Sequence, residues 1–95
     1  MMHQREITGK IPPHGTIKLF IEGAPDVWLN HVLYAGGHLL SITLGRCCYY
    51  DRQRIISFDA KLLWRADVPL VLELTNDLDF EVSTTCVAFV EELKP

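Results

Sequence analysis

Much of what would give an enzyme or a membrane protein away is absent from these 95 residues. No apolar run exceeds a few residues, where a helix crossing a bilayer needs about 20. The opening stretch, "MMHQREITGK", is polar and holds no segment that could insert. A cytoplasmic chain is therefore expected, with no signal-peptide export and no membrane partner. Cysteine is scarce: three cannot all pair within one chain, and without an export signal reduced thiols are the expectation. There is no G-x-S-x-G, no phosphate-cradling glycine loop and no cysteine-protease context. Nucleophilic catalysis therefore has nothing to stand on, and the chain is read as non-enzymatic.

Metal and cofactor sites find equally little support. Cys47 and Cys48 are adjacent, so an extended chain points them to opposite faces. A disulfide between neighbours would need a strained ring. Neither Cys86 nor the histidines 3, 14, 31 and 38 supply zinc-like spacing. In "NDLDFE", Asp77, Asp79 and Glu81 would share one face of an extended chain. The calcium-loop glycine is missing, and Asn76-Asp77 is ordinary turn chemistry. No metal and no cofactor are expected.

What is present is alternation. In "TIKLFIE", Ile17, Leu19 and Ile21 share one face and Lys18 and Glu22 the other, the period of a half-buried strand. "HLLSITLGR" places Leu40, Ile42 and Leu44 inward, and "LVLELT" does the same with Leu70, Leu72 and Leu74. The closing run "DFEVSTTCVAFVEE" aligns Phe80, Val82, Thr84, Cys86, Ala88 and Val90, with a bulge or bend expected at Thr84-Thr85. Further strands are expected at Glu6–Ile11, Arg54–Phe58 and Lys61–Arg65. Val27 to Tyr34 reads as a strand entering a Gly36-Gly37 hairpin, with a helix begun by Pro25 and Asp26 as the alternative. Turn residues at 12–15, 23–26, 35–38, 50–53, 66–69 and 75–77 punctuate the chain at roughly 8–12-residue spacing, the rhythm of a sandwich or barrel. The fold class is all-β: a single β-sandwich over residues 1–95, about seven or eight antiparallel strands, jelly-roll-like or a small barrel.

Charge is unevenly spread. Residues 1–45 balance, 46–66 hold five cations against two acids, and 67–95 hold seven acids against Lys94. Two readings follow. Neighbouring strands fold the two segments together as surface ion pairs, or the segments form complementary patches between subunits. The basic segment also interleaves aromatics. Arg46, Tyr49, Tyr50, Arg52, Arg54, Trp64 and Arg65 are the candidate interface or ligand-binding residues. Such grooves bind single-stranded nucleic acid, although a chain with an excess of acids is a poor phosphate ligand.

Apolar content is 48%, high for a chain that buries only about two-thirds of its unfolded surface. A two-layer sandwich buries one face of each sheet. Its outer faces would show some of Phe20, Trp28, Tyr49, Leu63, Val71, Val87 and Phe89, more than monomers usually carry in one patch. The succession "IPPHGTIKLFIEG", "VPLVLELTND" and a long closing strand resembles the small β-sandwich virion proteins of bacteriophages, of the decoration and minor capsid type. That resemblance implies a jelly-roll-like subunit in a symmetric particle, without enzymatic activity. The expected function is a structural module that self-associates or docks on a larger protein assembly. The alternative is a module that binds an anionic ligand such as single-stranded nucleic acid through residues 46–65.

Overall fold

The computed structural model describes residues 2–22, 25–49 and 55–93, with 2, 47–49 and 55–61 described by their backbone alone. It is all-β, and no helix occurs among the described residues. The strands are β1 (Met2–Ile11), β2 (Thr16–Ile21), β3 (Val27–Ala35), β4 (His38–Leu44), β5 (Cys47–Tyr49), β6 (Ile55–Trp64), β7 (Leu70–Thr75) and β8 (Val82–Glu92). They form two four-stranded sheets, sheet I in the order β1-β8-β3-β6 and sheet II in the order β2-β7-β4-β5. Every pairing is antiparallel. Eight strands in this order, with every link but β4–β5 passing from one sheet to the other, make a jelly roll.

The alternation in the sequence becomes the core. Leu70, Leu72 and Leu74 of β7 are fully buried, as are Cys86 and Ala88 of β8, with Thr84 and Val90 all but so. Ile42 of β4, Leu29 and Val32 of β3 and Trp64 of β6 meet them between the sheets. In β2 the inward Ile17, Leu19 and Ile21 alternate with exposed Lys18 and Phe20.

Several expectations change once the pairing is seen. Leu40 does not face inward. The register between β4 and β7 slips between Leu39 and Ser41, so Leu39 is buried and Leu40 becomes the extra, 41% exposed residue. The register of β8 runs unbroken through Thr84 and Thr85; the irregularity lies in β3, between Leu29 and His31. Phe80 precedes β8 and is exposed rather than part of its buried face. The two strands expected at Arg54–Phe58 and Lys61–Arg65 are one, β6, whose pairing with β3 jumps from Leu62 to Ser57.

Gly36-Gly37 is the most instructive correction. Val27–Ala35 is a strand, but it does not form a hairpin with β4. The two glycines carry the chain from sheet I to sheet II. Both have positive φ, 94° and 76°. A Cβ on Gly36 would lie 2.1 Å from the Ser83 carbonyl oxygen, and one on Gly37 would lie 2.6 Å from Ile11 Cδ1. Only glycine fits a corner pressed this closely against β8. The two-residue hairpin occurs instead at Gly45-Arg46, where Leu44 pairs with Cys47 and Gly45 has φ 60°.

The molecule is a prism with extents of 49 × 22 × 22 Å. At one end, the tip, lie the links β1–β2, β3–β4 and β7–β8. At the other, the base, lie β2–β3, β4–β5 and β6–β7.

Candidate interaction surfaces

Of the candidate residues from the basic segment, Arg46, Trp64 and Arg65 have described side chains, and these three do not gather into a groove. Trp64 is completely buried: its Nε1–H donates to the Val68 carbonyl at 2.7 Å. The Arg5 guanidinium lies 4.7 Å from the centroid of the indole. Residues 62 and 64 alternate with exposed Leu63, so the parity of β6 sends the indole inward. It is a core side chain, not a surface platform for stacked bases. Arg46 and Arg65 are exposed at the base, in the β4–β5 turn and just after β6. Around them stand Glu22, Asp26, Asp67 and Glu92, all exposed. The Arg5 guanidinium also reaches this end, donating to the Glu22 and Pro25 carbonyls, and these three cations against four carboxylates do not attract phosphate. Tyr49 pairs with Ile42; its side chain, and Tyr50, Arg52 and Arg54, lie outside the described residues.

The acids of the C-terminal third find partners in the first half of the chain instead. His14 Nε2 lies 2.6 Å from Asp79, His38 Nε2 lies 3.5 Å from Asp77, and Lys10 Nζ lies 3.8 Å from Glu81. His3 reaches Glu92 at 2.9 Å. All eight side chains are well exposed, so each pair contributes little. Among the described side chains no ion pair joins segments 46–66 and 67–95; the side chains of Arg52, Arg54 and Lys61 lie outside them. No group of three or more metal-ligating side chains occurs among them either.

Cys86 offers no nucleophile. It is buried and unpaired, and burial pushes its thiol up to about 11, partly offset by a hydrogen bond with Thr84.

The outer faces of the two sheets differ, and the difference follows from register. On sheet I, three successive rungs across β8, β3 and β6 are largely apolar. Trp28 sits between Glu91 and Leu63, His31 next to Phe89, and Leu33 next to Val87. The His31 and Phe89 rings stack with centroids 4.4 Å apart and planes at 25°. Leu63 is 41% exposed. The β1 column beside them is polar and exposed: Gln4, Glu6, Thr8 and Lys10. On sheet II, among the described residues, one rung is apolar, Phe20–Val71–Thr43, and the exposed Leu40 stands apart from it at the irregularity of β4. The next rungs are Lys18–Glu73–Ser41 and Thr16–Thr75–His38. The doubled hydrophobes Trp28-Leu29, Leu62-Leu63 and Cys86 to Val90 were the sequence signal for this face.

Comparison of the chain with protein-family models, curated proteins and solved structures gives no match.

Proposed function

We propose that this protein is a non-enzymatic assembly module, a jelly-roll unit that pairs with a second copy through the outer face of sheet I. The observation that carries this reading is the run of three largely apolar rungs, Glu91–Trp28–Leu63, Phe89–His31–Ser57 and Val87–Leu33–Ile55, on a face with nothing packed over it among the described residues. The centre of the patch carries no carboxylate, lysine or arginine among its described side chains; Glu91 stands at its margin, with Asn30 Nδ2 donating to it. A like face therefore meets it without facing like charges, and a closed two-fold pair is the simplest way to cover it. The resemblance to virion proteins of bacteriophages suggests a symmetric particle as the setting. Jelly rolls also serve as lectins and cupins, so the fold alone does not choose among these.

The size of the patch sets the strength. Three strands spaced by about 4.8 Å and three rungs give a projected face on the order of 300 Å². Standard interfaces bury about 800 Å² on each partner. The pair is accordingly weak, dissociating in dilute solution and forming at high local concentration. Sedimentation equilibrium from about 10 μM to about 1 mM brackets a contact of this class. The weight-average mass should rise toward twice the monomer. Leu63→Lys, at an exposed position, should weaken pairing at least tenfold, and Thr8→Lys on the polar column should not. A monomer throughout, or a dimer indifferent to Leu63→Lys, would sink the proposal.

A further inference from the structure

The tip carries a second apolar feature, of a different kind. Leu78 is 47% exposed and Phe80 is 63% exposed, the latter the most exposed large hydrophobe among the described residues. Both sit in the β7–β8 link, outside the core between the sheets. Yet their backbone is firmly held. Asn76, only 2% exposed, donates from Nδ2 to the carbonyls of Ile11 and Pro12 at 3.2 Å each and to that of Phe80 at 2.8 Å. Its Oδ1 accepts from the Leu78 N–H at 2.9 Å. The Leu78 carbonyl in turn accepts from the His14 N–H at 3.2 Å, and the Asn76 N–H donates to the Gly15 carbonyl at 2.9 Å. Leu78 is thus tied at both its backbone groups and Phe80 at its carbonyl. The two side chains are presented to solvent on a scaffold that has little freedom left to lose on binding.

Charge frames them. Asp77, Asp79 and Glu81 alternate with Leu78 and Phe80. Among the described residues, His38 stands beside Asp77, His14 beside Asp79, and Lys10, the one lysine or arginine paired with these acids, beside Glu81. We propose that this tip is a docking element for another protein, whose surface offers an apolar pocket rimmed by arginine and lysine side chains. A second copy of this chain is a poor occupant. Its described cations at the base are outnumbered by carboxylates, Lys18 lies opposite Glu73 in the register, and Lys10 already serves Glu81. An anionic membrane surface is disfavoured by the same three acids.

This inference goes beyond pairing of copies and does not rest on it. The tip is the end of a prism 49 Å long, whereas the pairing face is the side of one sheet. Both surfaces can therefore be occupied at once. A pair of copies would then present two tips and hold a multivalent partner more tightly than one tip does.

The test replaces Phe80 by the photoreactive p-benzoylphenylalanine in the full chain. The protein is irradiated in an extract of its source cells, and the adducts are identified by mass spectrometry down to the cross-linked peptide. The expected result is an adduct with another protein at a peptide rich in arginine or lysine. Its yield should fall at least tenfold in Asp77→Asn/Asp79→Asn/Glu81→Gln and in 0.5 M salt, and also in competition with excess unlabelled wild-type chain. Unlabelled Leu78→Ser/Phe80→Ser should not compete, and Leu63→Lys should leave the adduct's contact peptide unchanged. No adduct, an adduct with a second copy or with lipid, or a yield indifferent to the three acids overturns the proposal. The substituted side chains are exposed, so these variants fold, and circular dichroism checks that they do.

Discussion

Replacing Asn76 by alanine tests how the tip is closed. The amide is buried and ties two elements together: the end of β1 through Ile11 and Pro12, and the β7–β8 link through Leu78 and Phe80. Two N–H groups are shared among three carbonyls, and one oxygen accepts, so about three effective hydrogen bonds vanish. At a net of about 0.5–1.5 kcal/mol each, the loss is on the order of 3 kcal/mol. The Ile11 carbonyl belongs to a fully buried residue, which limits how far water can substitute. A domain of this size has roughly 5–10 kcal/mol of stability, so the change removes a large part of it. The thermal midpoint should fall by about 12–24 °C, at about 4–8 °C per kcal/mol for a small domain. Urea unfolding followed by tryptophan fluorescence measures this directly, because the buried Trp64 reports on the core. Asp77→Ala, one residue on and exposed, is the control and should cost under about 0.5 kcal/mol. If Asn76→Ala costs less than about 1 kcal/mol, water replaces the amide and the side chain does not organise the tip.

Two further outcomes follow from the geometry. Gly36→Ala must place a methyl group 2.1 Å from the Ser83 oxygen at φ 94°, and should cost at least about 3 kcal/mol or prevent folding; Ser83→Ala, which leaves that carbonyl in place, should be benign in the same urea titration. The Cys86 thiol is protonated more tightly in the folded chain than in the unfolded one, because its pKa rises from 9.0 to about 11. Stability from this group is therefore complete below about pH 9 and lost as pH climbs toward 11, by up to about 2 kcal/mol, and Cys86→Ala should remove that slope. Alkylation mapped by mass spectrometry should find the Cys86 peptide unmodified at pH 8 until urea is added.

The strands were legible because alternation is local. Ile17, Leu19 and Ile21, or Leu70, Leu72 and Leu74, reveal their face without reference to any partner. What partner each strand takes is not local. Gly36-Gly37 suits a hairpin or a crossing between sheets equally well, and only the approach of Ser83 and Ile11 distinguishes them. Leu40 was misplaced for the same reason, since a bulge is a property of two strands and the periodicity of one cannot show it. Trp64 was misread through its sequence neighbour. Arg65 made it look like a surface aromatic, whereas the parity of β6 and the hydrogen bond to Val68 make it interior. The histidine–carboxylate contacts join residues up to 89 positions apart, and no spacing rule could have joined them.

The asymmetry between the sheets bears on how far assembly proceeds. A chain with one adhesive face makes a closed pair and stops, whereas a chain with two opposite faces continues into a filament. Among the described residues sheet II has a single apolar rung, and its next rung carries Lys18 opposite Glu73. Lys18 lies on β2, at the edge of the sheet, where a lysine is the kind of device that discourages association, and Glu73 stands beside it on β7. Lys18→Val/Glu73→Val would add a second apolar rung beside Phe20–Val71–Thr43 at little cost to a fold that leaves Lys18 exposed. Light scattering should then change from a mass that levels off at two copies to one that keeps growing with concentration. Adding Leu63→Lys to this variant should cap the growth again by removing the first face. If Lys18→Val/Glu73→Val still levels off at the mass of the unmodified chain, apolar rungs do not govern contact between these sheets, and pairing through Trp28, Leu63 and Phe89 falls with it.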